Sequence, residues 1–358
     1  MTLRTGIVGA GIVSENNHLP AVDRNPRTEL VGVCDLDADR ARDAADEYGT
    51  EAYTDPDALL AAGLDWVHVA TPVGTHFDLA SAAVEAGVPV TVQKPATTTL
   101  DELERLAECS AERGVPVSVV HNWLCYPVVR KLRRRIAAGE FGEIRAVEAA
   151  FAGEGRPDET YRGDWVFDLP GGDLEEGLPH PLYLALALGG YPRDRSEIEV
   201  LARTADDYER DVAYDGTTLQ YVGEGSTLCS ISFLSASTPS HRISVHGTDG
   251  SATVDVPTTI LDAHDADEGP YHLLSKRLER GLRTTESAVR GMVGAVEWHG
   301  RDTLEERFDR HAERSADGHY YLLNEVAKAL ERDRRSFESL ERSRWVLTLM
   351  EEVRAAAE

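Results

Sequence analysis

Lysine is nearly absent from this chain: only four of its 37 basic residues are lysines, and 63 acidic residues outnumber them to give a formal net charge of −26. A surface this negative argues against nucleic acid and against anionic membranes as partners, because both would be repelled. The one basic run, Arg130 to Arg135, reads as the solvated face of a helix. Cysteine is scarce too. Cys34, Cys109, Cys125 and Cys229 form no CxxC pair and lie in apolar stretches, which favours buried free thiols in a reducing cytoplasm over a disulfide framework or a zinc site. No apolar run approaches the length that spans a bilayer, and no basic n-region precedes an apolar h-region at the N-terminus. A cytoplasmic protein is therefore expected. The acids are scattered over helix faces rather than gathered in a tail. Concentrated salt screens the self-repulsion of such a surface, so the composition points to a salt-loving source, an archaeon with a salty cytoplasm.

What the chain does have is two rhythms, and its 358 residues are enough for two cores. Up to about Ala138, short β-branched runs (LRTGIV, ELVGVCD, DWVHVAT, VPVTVQK, VPVSVVH) alternate with amphipathic stretches at Ala38–Tyr48, Thr75–Ala86 and Leu100–Arg113. Strands apolar on both faces that alternate with helices imply a parallel sheet covered on each side. From about residue 143, IRAVEAAF, SEIEVLART, TTLQYVG, STLCSISFL, HRISVHG and SATVDV follow one another across turn residues. They read as a mainly antiparallel sheet with a hairpin at Gly247–Gly250. Helices are expected near Gly318–Arg332 and Ser339–Ala357, while the charged stretch from Asp262 to Ser315 fits no clear element.

The first strand runs into GAGIVS, where Gly9, Gly11 and Ser14 occupy the three positions of a G-x-G-x-x-G turn and Ile12 and Val13 fill the gap. Glycine at the first two positions allows a tight turn and a close approach of backbone amides to a pyrophosphate, the chemistry of a dinucleotide site. Asp35 ends the second strand, where a carboxylate bonds ribose hydroxyls and repels a 2′-phosphate, so NAD is expected over NADP. Thr71-Pro72 and His76 follow the fourth strand, and Gln93-Lys94-Pro95 follow the fifth. Both lie at the carboxyl edge of a parallel sheet, where ligands bind. Lys94, a rare lysine in this chain, is suited to stabilise a developing alkoxide as hydride leaves. Asn122, after the sixth strand, either faces the nicotinamide or caps the next helix.

Gly9-x-Gly11, Thr71-Pro72, His76 and Gln93-Lys94-Pro95, followed by HNWLCYPVVRKLRRRIAAGEFGEIRAV, GTDGSATV and DGHYYLLNEVAKALE, resemble the Gfo/Idh/MocA family of nicotinamide-dependent oxidoreductases. The resemblance implies an α/β N-terminal Rossmann domain (1–122) and, over 123–358, an α+β substrate-binding and oligomerisation domain. The latter carries a large, mainly antiparallel open sheet, and its C-terminal helix is free to pack back on the first domain. It also implies a homodimer or homotetramer acting on a polyol or sugar. Lys94 takes the family's substrate-facing role. A histidine base is expected after PGGDLEEGLPHP, which identifies His180, with Glu176 standing four residues earlier where the family has an aspartate. Pro179 suits a first helical turn, so His180 is expected at a helix N-terminus, with Glu176 before the helix and reaching it through a loop. Glu176 either orients His180 or is one more acid on an acidic surface. Gln93 stands where an acid is usual, Tyr183 where a further aspartate is common, and Trp123 and Leu124 where an arginine is frequent. Three activities stay open: a dehydrogenase or reductase moving hydride between NAD and a secondary alcohol or ketone of a sugar, cyclitol or sugar nucleotide, a redox-neutral lyase, epimerase or glycosidase that recycles its NAD, and a non-catalytic dinucleotide-responsive regulator.

Overall fold

Strand β1 (Leu3–Val8) is flanked by β2 (Thr28–Cys34) and β4 (Trp66–Val69). It begins a six-stranded sheet in the order β3-β2-β1-β4-β5-β6, every pair parallel, with β3 at Glu51–Tyr53, β5 at Val90–Val92 and β6 at Val117–Val119. A computed structural model of the chain describes residues 2–265, 281, 282, 285, 318–332 and 340–357. The strands are short and rich in buried Val and Ile, as expected where helices cover both faces, with Thr5, Trp66, His68, Thr91 and Ser118 buried among them. Helices α2 (Ala38–Tyr48) and α5 (Leu100–Arg113) start and stop for visible reasons. Asp37 caps α2 by accepting from Asp39 N and Arg40 N, and Thr99 with Glu102 forms a capping box on α5. Both end on glycines in the left-handed region, Gly49 and Gly114. Helices α1 (Leu19–Asp23), α3 (Pro56–Leu60) and α4 (His76–Glu85) complete the layers.

The chain divides into two compact units, Met1–Asn122 with Asp317–Glu351, and Trp123–Ala316 with Glu352–Glu358. The second unit starts with α6 (Pro127–Ala137) and β7 (Ile144–Ala152), then α7 (Gly172–Gly177) and α8 (Pro179–Gly189). Strands β8 (Glu199–Arg203), β9 (Gly216–Val222), β10 (Leu228–Leu234), β11 (Ser240–Gly247), β12 (Gly250–Asp255) and β13 (Ile260–Asp265) follow. Its seven-stranded sheet runs β13-β12-β11-β7-β10-β9-β8. Only the β10–β7 pair is parallel, so the sheet is mixed and mostly antiparallel. The expected hairpin joins β11 to β12. The stretch from Asp262 is corrected at its start, since Asp262 to Asp265 belong to β13; beyond that it lies outside the described residues, save 281, 282 and 285.

Register sets the two faces of this sheet apart. Val147, Ala149, Phe151, Leu219, Tyr221, Cys229, Ile231, Ile243 and Val245 are all buried on the face that α8 covers. α8 is apolar nearly all round, which is the pattern of a core helix. Gly189 at its end lies against Cys229 and Val147 with no room for a Cβ. The late helices are α9 (Gly318–Glu331) and α10 (Leu340–Ala357).

Candidate functional site

The glycine turn after β1 is built for close approach. Gly9 has φ +102°, and a Cβ there would meet Ala70 O at 2.7 Å, so the turn lies flush on the end of β4. At Gly11 a Cβ would meet nothing within 4 Å, leaving open space over the turn where a pyrophosphate would lie. The next turn, Ser14–His18, is π-helical and has no side-chain cap, so its leading amides are not claimed by a capping side chain. Ser14, in the third glycine position, is fully buried, a place that only a small side chain fits. Asp35 latches this turn: Oδ2 accepts from Ala10 N at 2.8 Å and Oδ1 from Asp37 N at 2.9 Å. Each oxygen keeps a further lone pair for a ribose hydroxyl. Leu36, which carries no motif signal, is 88% exposed directly after Asp35, and Ile12 is 41% exposed; both offer apolar surface at this edge. These residues fit a bound dinucleotide.

Thr71, Pro72 and His76 lie at the end of β4, and Gln93 and Lys94 at the end of β5. His76 is fully buried and braces the two loops, its Nε2 2.8 Å from Thr71 O and its Nδ1 2.9 Å from Pro95 O. Both ring nitrogens are thus engaged by the main chain, and burial lowers the ring's pKa. His76 shapes the edge rather than offering a nitrogen to a ligand. Gln93 is also buried, with its side chain turned to His18 and to the Lys94 main chain. Asn122 Nδ2 lies 3.4 Å from His319 Nδ1 on α9. It does not cap the next helix, whose N-cap is Tyr126 with no side-chain bond. Burial and the charge of Lys94 push His319 down to about 4.

In the second unit His180 stands on α8 with its Nδ1 2.7 Å from Tyr183 Oη, and Tyr183 Oη also accepts from Trp123 N at 3.1 Å. The imidazole stacks on the Trp123 ring at 4.5 Å, with 19° between the planes. His241 stands edge-on to both Trp123 and Phe151, at 5.3 and 5.1 Å. Trp123, His180, Tyr183, Phe151 and His241 thus form one aromatic cluster on the covered face of the sheet.

One expectation about this histidine holds and one is corrected. Pro179 opens α8 and places His180 in its first turn, as expected. Glu176 is not in a loop before that helix: it lies inside α7, and Leu178 between α7 and α8 keeps right-handed helical angles (φ −56°, ψ −35°). Glu176 is 3.2 Å from the Arg162 guanidinium, which also faces Asp173 at 3.5 Å. Its neighbour Glu175 is fully buried and accepts from Gly171 N at 3.0 Å, Tyr214 Oη at 2.8 Å and Arg354 Nε at 2.8 Å. Glu175 is therefore an anchor for the C-terminal end of α10, a role the acid-rich sequence hides.

The profile of an oxidoreductase family with an NAD-binding Rossmann fold (GFO_IDH_MocA) matches residues 3–121, and that family's C-terminal domain matches residues 129–253. An uncharacterised oxidoreductase of Escherichia coli, YdgJ, is 30% identical over 256 residues, 70% of this chain and 70% of its own. The chain belongs to the Gfo/Idh/MocA family. Among its relatives, the dTDP-3,4-didehydro-2,6-dideoxy-alpha-D-glucose 3-reductase of Streptomyces violaceoruber is 31% identical over 198 residues, 55% of this chain. That match spans only 57% of the reductase's length. The UDP-N-acetylglucosamine 3-dehydrogenase of Acidithiobacillus ferrooxidans is 29% identical over 268 residues, 75% of this chain and 78% of that one.

The solved structure of the Acidithiobacillus family member superposes with a TM-score of 0.74 at 23% identity, covering 99% of this chain and 98% of that one. The WlbA dehydrogenase of Bordetella pertussis, in complex with NADH and UDP-GlcNAcA, gives 0.75 at 22% identity over 99% and 95% of the two chains. The Gfo/Idh/MocA assignment makes the first unit an NAD-binding Rossmann domain, and the strand order 3-2-1-4-5-6 is the one such domains use. Among the described residues no helix is long and apolar enough to cross a membrane.

Proposed function

We propose that this chain is a nicotinamide-dependent oxidoreductase that moves hydride between NAD and a secondary alcohol, or the matching ketone, on the sugar of a sugar nucleotide. The observation that carries the reading is that a single family chain has Lys94 after β5, at the same edge of the sheet as an open glycine turn after β1, and, in its second unit, a histidine with one ring nitrogen held by a tyrosine hydroxyl. The dinucleotide, when bound, supplies the hydride acceptor. His180 would give its Nδ1–H to Tyr183 Oη, whose other lone pair takes Trp123 N–H, leaving Nε2 as the base for the hydroxyl proton. Lys94 would donate to a substrate oxygen and stabilise its growing negative charge. For ketone reduction the same two groups run in reverse. Asp35 favours NAD by holding ribose hydroxyls and repelling a 2′-phosphate. The sugar-nucleotide class is supported by the substrates in the names of relatives that span most of this chain. Glu176, already paired with Arg162, is assigned no proton-transfer step.

A homodimer or homotetramer would use the open face of the second sheet, where register puts the exposed Leu201, Leu228 and Leu234 on one side. The cytoplasm of a salt-loving cell is the proposed setting. The test is a high-salt screen of sugars, cyclitols and nucleoside-diphosphate sugars with NAD and NADP, following absorbance of the reduced nicotinamide. Net NADH from a nucleoside-diphosphate sugar is expected. Lys94→Ala and His180→Ala should each cut turnover by orders of magnitude in a folded protein. Consumption of substrate with no net change in nicotinamide would overturn the dehydrogenase reading in favour of a redox-neutral reaction.

A further inference from the structure

Gln93 sits between two partners that fix which way its amide points. Its Oε1 accepts from Lys94 N at 3.2 Å, so its Nε2 must be the atom that faces His18 Nε2 at 2.6 Å. Turning the amide over would place an NH2 against the Lys94 N–H, two donors with no acceptor. With an amide N–H directed at it, His18 Nε2 must be the lone-pair nitrogen, and the His18 proton then sits on Nδ1. That Nδ1 is 3.0 Å from His68 Nδ1, which must in turn accept, leaving the His68 proton on Nε2. Gln93, His18 and His68 are all buried, with His18 and His68 at 0% exposure. His68 Nε2 is buried with no hydrogen-bond partner, beside the Trp66 ring at 4.1 Å.

We infer that Gln93, His18 and His68 form a one-way hydrogen-bonded chain with complementary neutral tautomers, and that this chain positions Lys94. It joins three elements of the first unit: the π-helical turn that follows the glycine loop, strand β4, and the end of β5 that carries Lys94. Three buried groups with one allowed pattern of protons make a rigid support. A single change of partner would have to reverse every proton in the row. The neutral amide at 93 decides the direction. A carboxylate there would still accept from Lys94 N but has no proton for His18 Nε2, so the row would have to run the other way. The titratable groups that face the row are His319 on α9, whose ring is 5.9 Å from that of His18, and Lys94, which acts on His319 and His76. Burial and His319 push His18 down to about 3, in keeping with a ring that stays neutral.

The inference rests on Lys94 facing the reacting atoms, as proposed above, but its first test needs no substrate. The full chain, labelled with 15N-histidine, would be examined by NMR from about pH 5 to about pH 8, with signals assigned through His18→Gln and His68→Gln. Expected are a protonated Nδ1 on His18, a protonated Nε2 on His68, and no titration of either. The opposite tautomers, or titration in that window, would overturn the chain. In Gln93→Glu, with nearly the same side-chain volume, both tautomers should invert or His18 should hold two protons; unchanged tautomers would overturn it as well. Gln93→Met removes the acceptor from Lys94 N, and kcat should fall about tenfold, the size of one hydrogen bond, with KM for NAD unchanged. Gln93→Glu should recover most of that loss. Equal kcat in Gln93→Met and wild type would remove the positioning role. A fully active Lys94→Ala would instead refute the proposed function and leave the tautomer result standing.

Discussion

Neutral histidines buried behind Lys94 should make the protein's stability fall as pH drops below the ordinary histidine range. His18 carries the number: burial, and His319 after it, lower its pKa from 6.5 to about 3. Between those values the unfolded chain binds a proton that the folded chain does not, so stability is present at high pH and is lost as pH falls from about 6.5. From pH 8 to pH 5 the unfolded ring gains a factor of about 30 from protonation while the folded ring gains almost nothing, a loss of about 2 kcal/mol for this one residue. His68 and His319 act in the same direction, both lowered chiefly by burial. The perturbation is His18→Gln, which keeps a polar side chain but cannot titrate. The assay is urea unfolding at pH 8 and pH 5 at one fixed salt concentration, followed by far-ultraviolet circular dichroism. Titration of the 63 acids is common to both proteins and cancels in the comparison. Wild type should lose about 2 kcal/mol more than His18→Gln between the two pH values. Parallel losses would refute the reasoning, because they would mean that His18 takes up its proton in the folded state.

Tyr183→Phe should cost about 1 kcal/mol of stability by taking the acceptor from the half-buried Trp123 N–H, and should lower kcat by freeing the His180 ring; a melting temperature and kcat equal to wild type would count against both. Asp35→Ala should weaken NAD binding more than NADP binding, read by titration of each cofactor, and an unchanged preference would reject the ribose role. Removing salt should lower the unfolding temperature, since screening of a −26 charge is lost; a protein that melts at the same temperature in dilute buffer and in molar salt would contradict the salt-adapted reading.

Local chemistry is what made so much of the fold legible. Helices α2 and α5 agree with their expected spans because Asp37 and Thr99 cap one end and Gly49 and Gly114 close the other. Strands β1, β2, β4, β5 and β6 were readable from β-branched runs, whereas β3 (Glu51–Tyr53) is three residues with two of them exposed and carries no such run. β13 was lost because ILDAHD mixes acids and a histidine into its alternation. The glycine turn, Asp35 and Lys94 were visible for the same local reason, since each stands at the end of a strand. Partnerships were not visible. Nothing near His18 announces His68, fifty residues on, or His319 on a helix far later in the chain. Glu176 looked like the partner of His180 by spacing, yet its ion pair is with Arg162, while the neighbouring Glu175 answers to Tyr214 and Arg354.

Two substitutions that the sequence presents as losses take on a common meaning in three dimensions. Gln93 lacks the charge usual before the lysine, and Tyr183 lacks the carboxylate common three residues after the histidine. Both are neutral groups able to donate and to accept, and each bonds a main-chain N–H and a histidine ring nitrogen at once: Lys94 N and His18 for Gln93, Trp123 N and His180 for Tyr183. A carboxylate at either place would accept from the N–H equally well, but beside an imidazole it would favour the charged ring, which is costly for the fully buried His18. A neutral amide fixes the His18 ring and, with burial lowering its pKa, leaves it uncharged. In a chain with so many acids, an amide rather than a carboxylate at 93 is what keeps a neutral support behind Lys94, and Tyr183 holds one nitrogen of His180 with a hydroxyl in the same way.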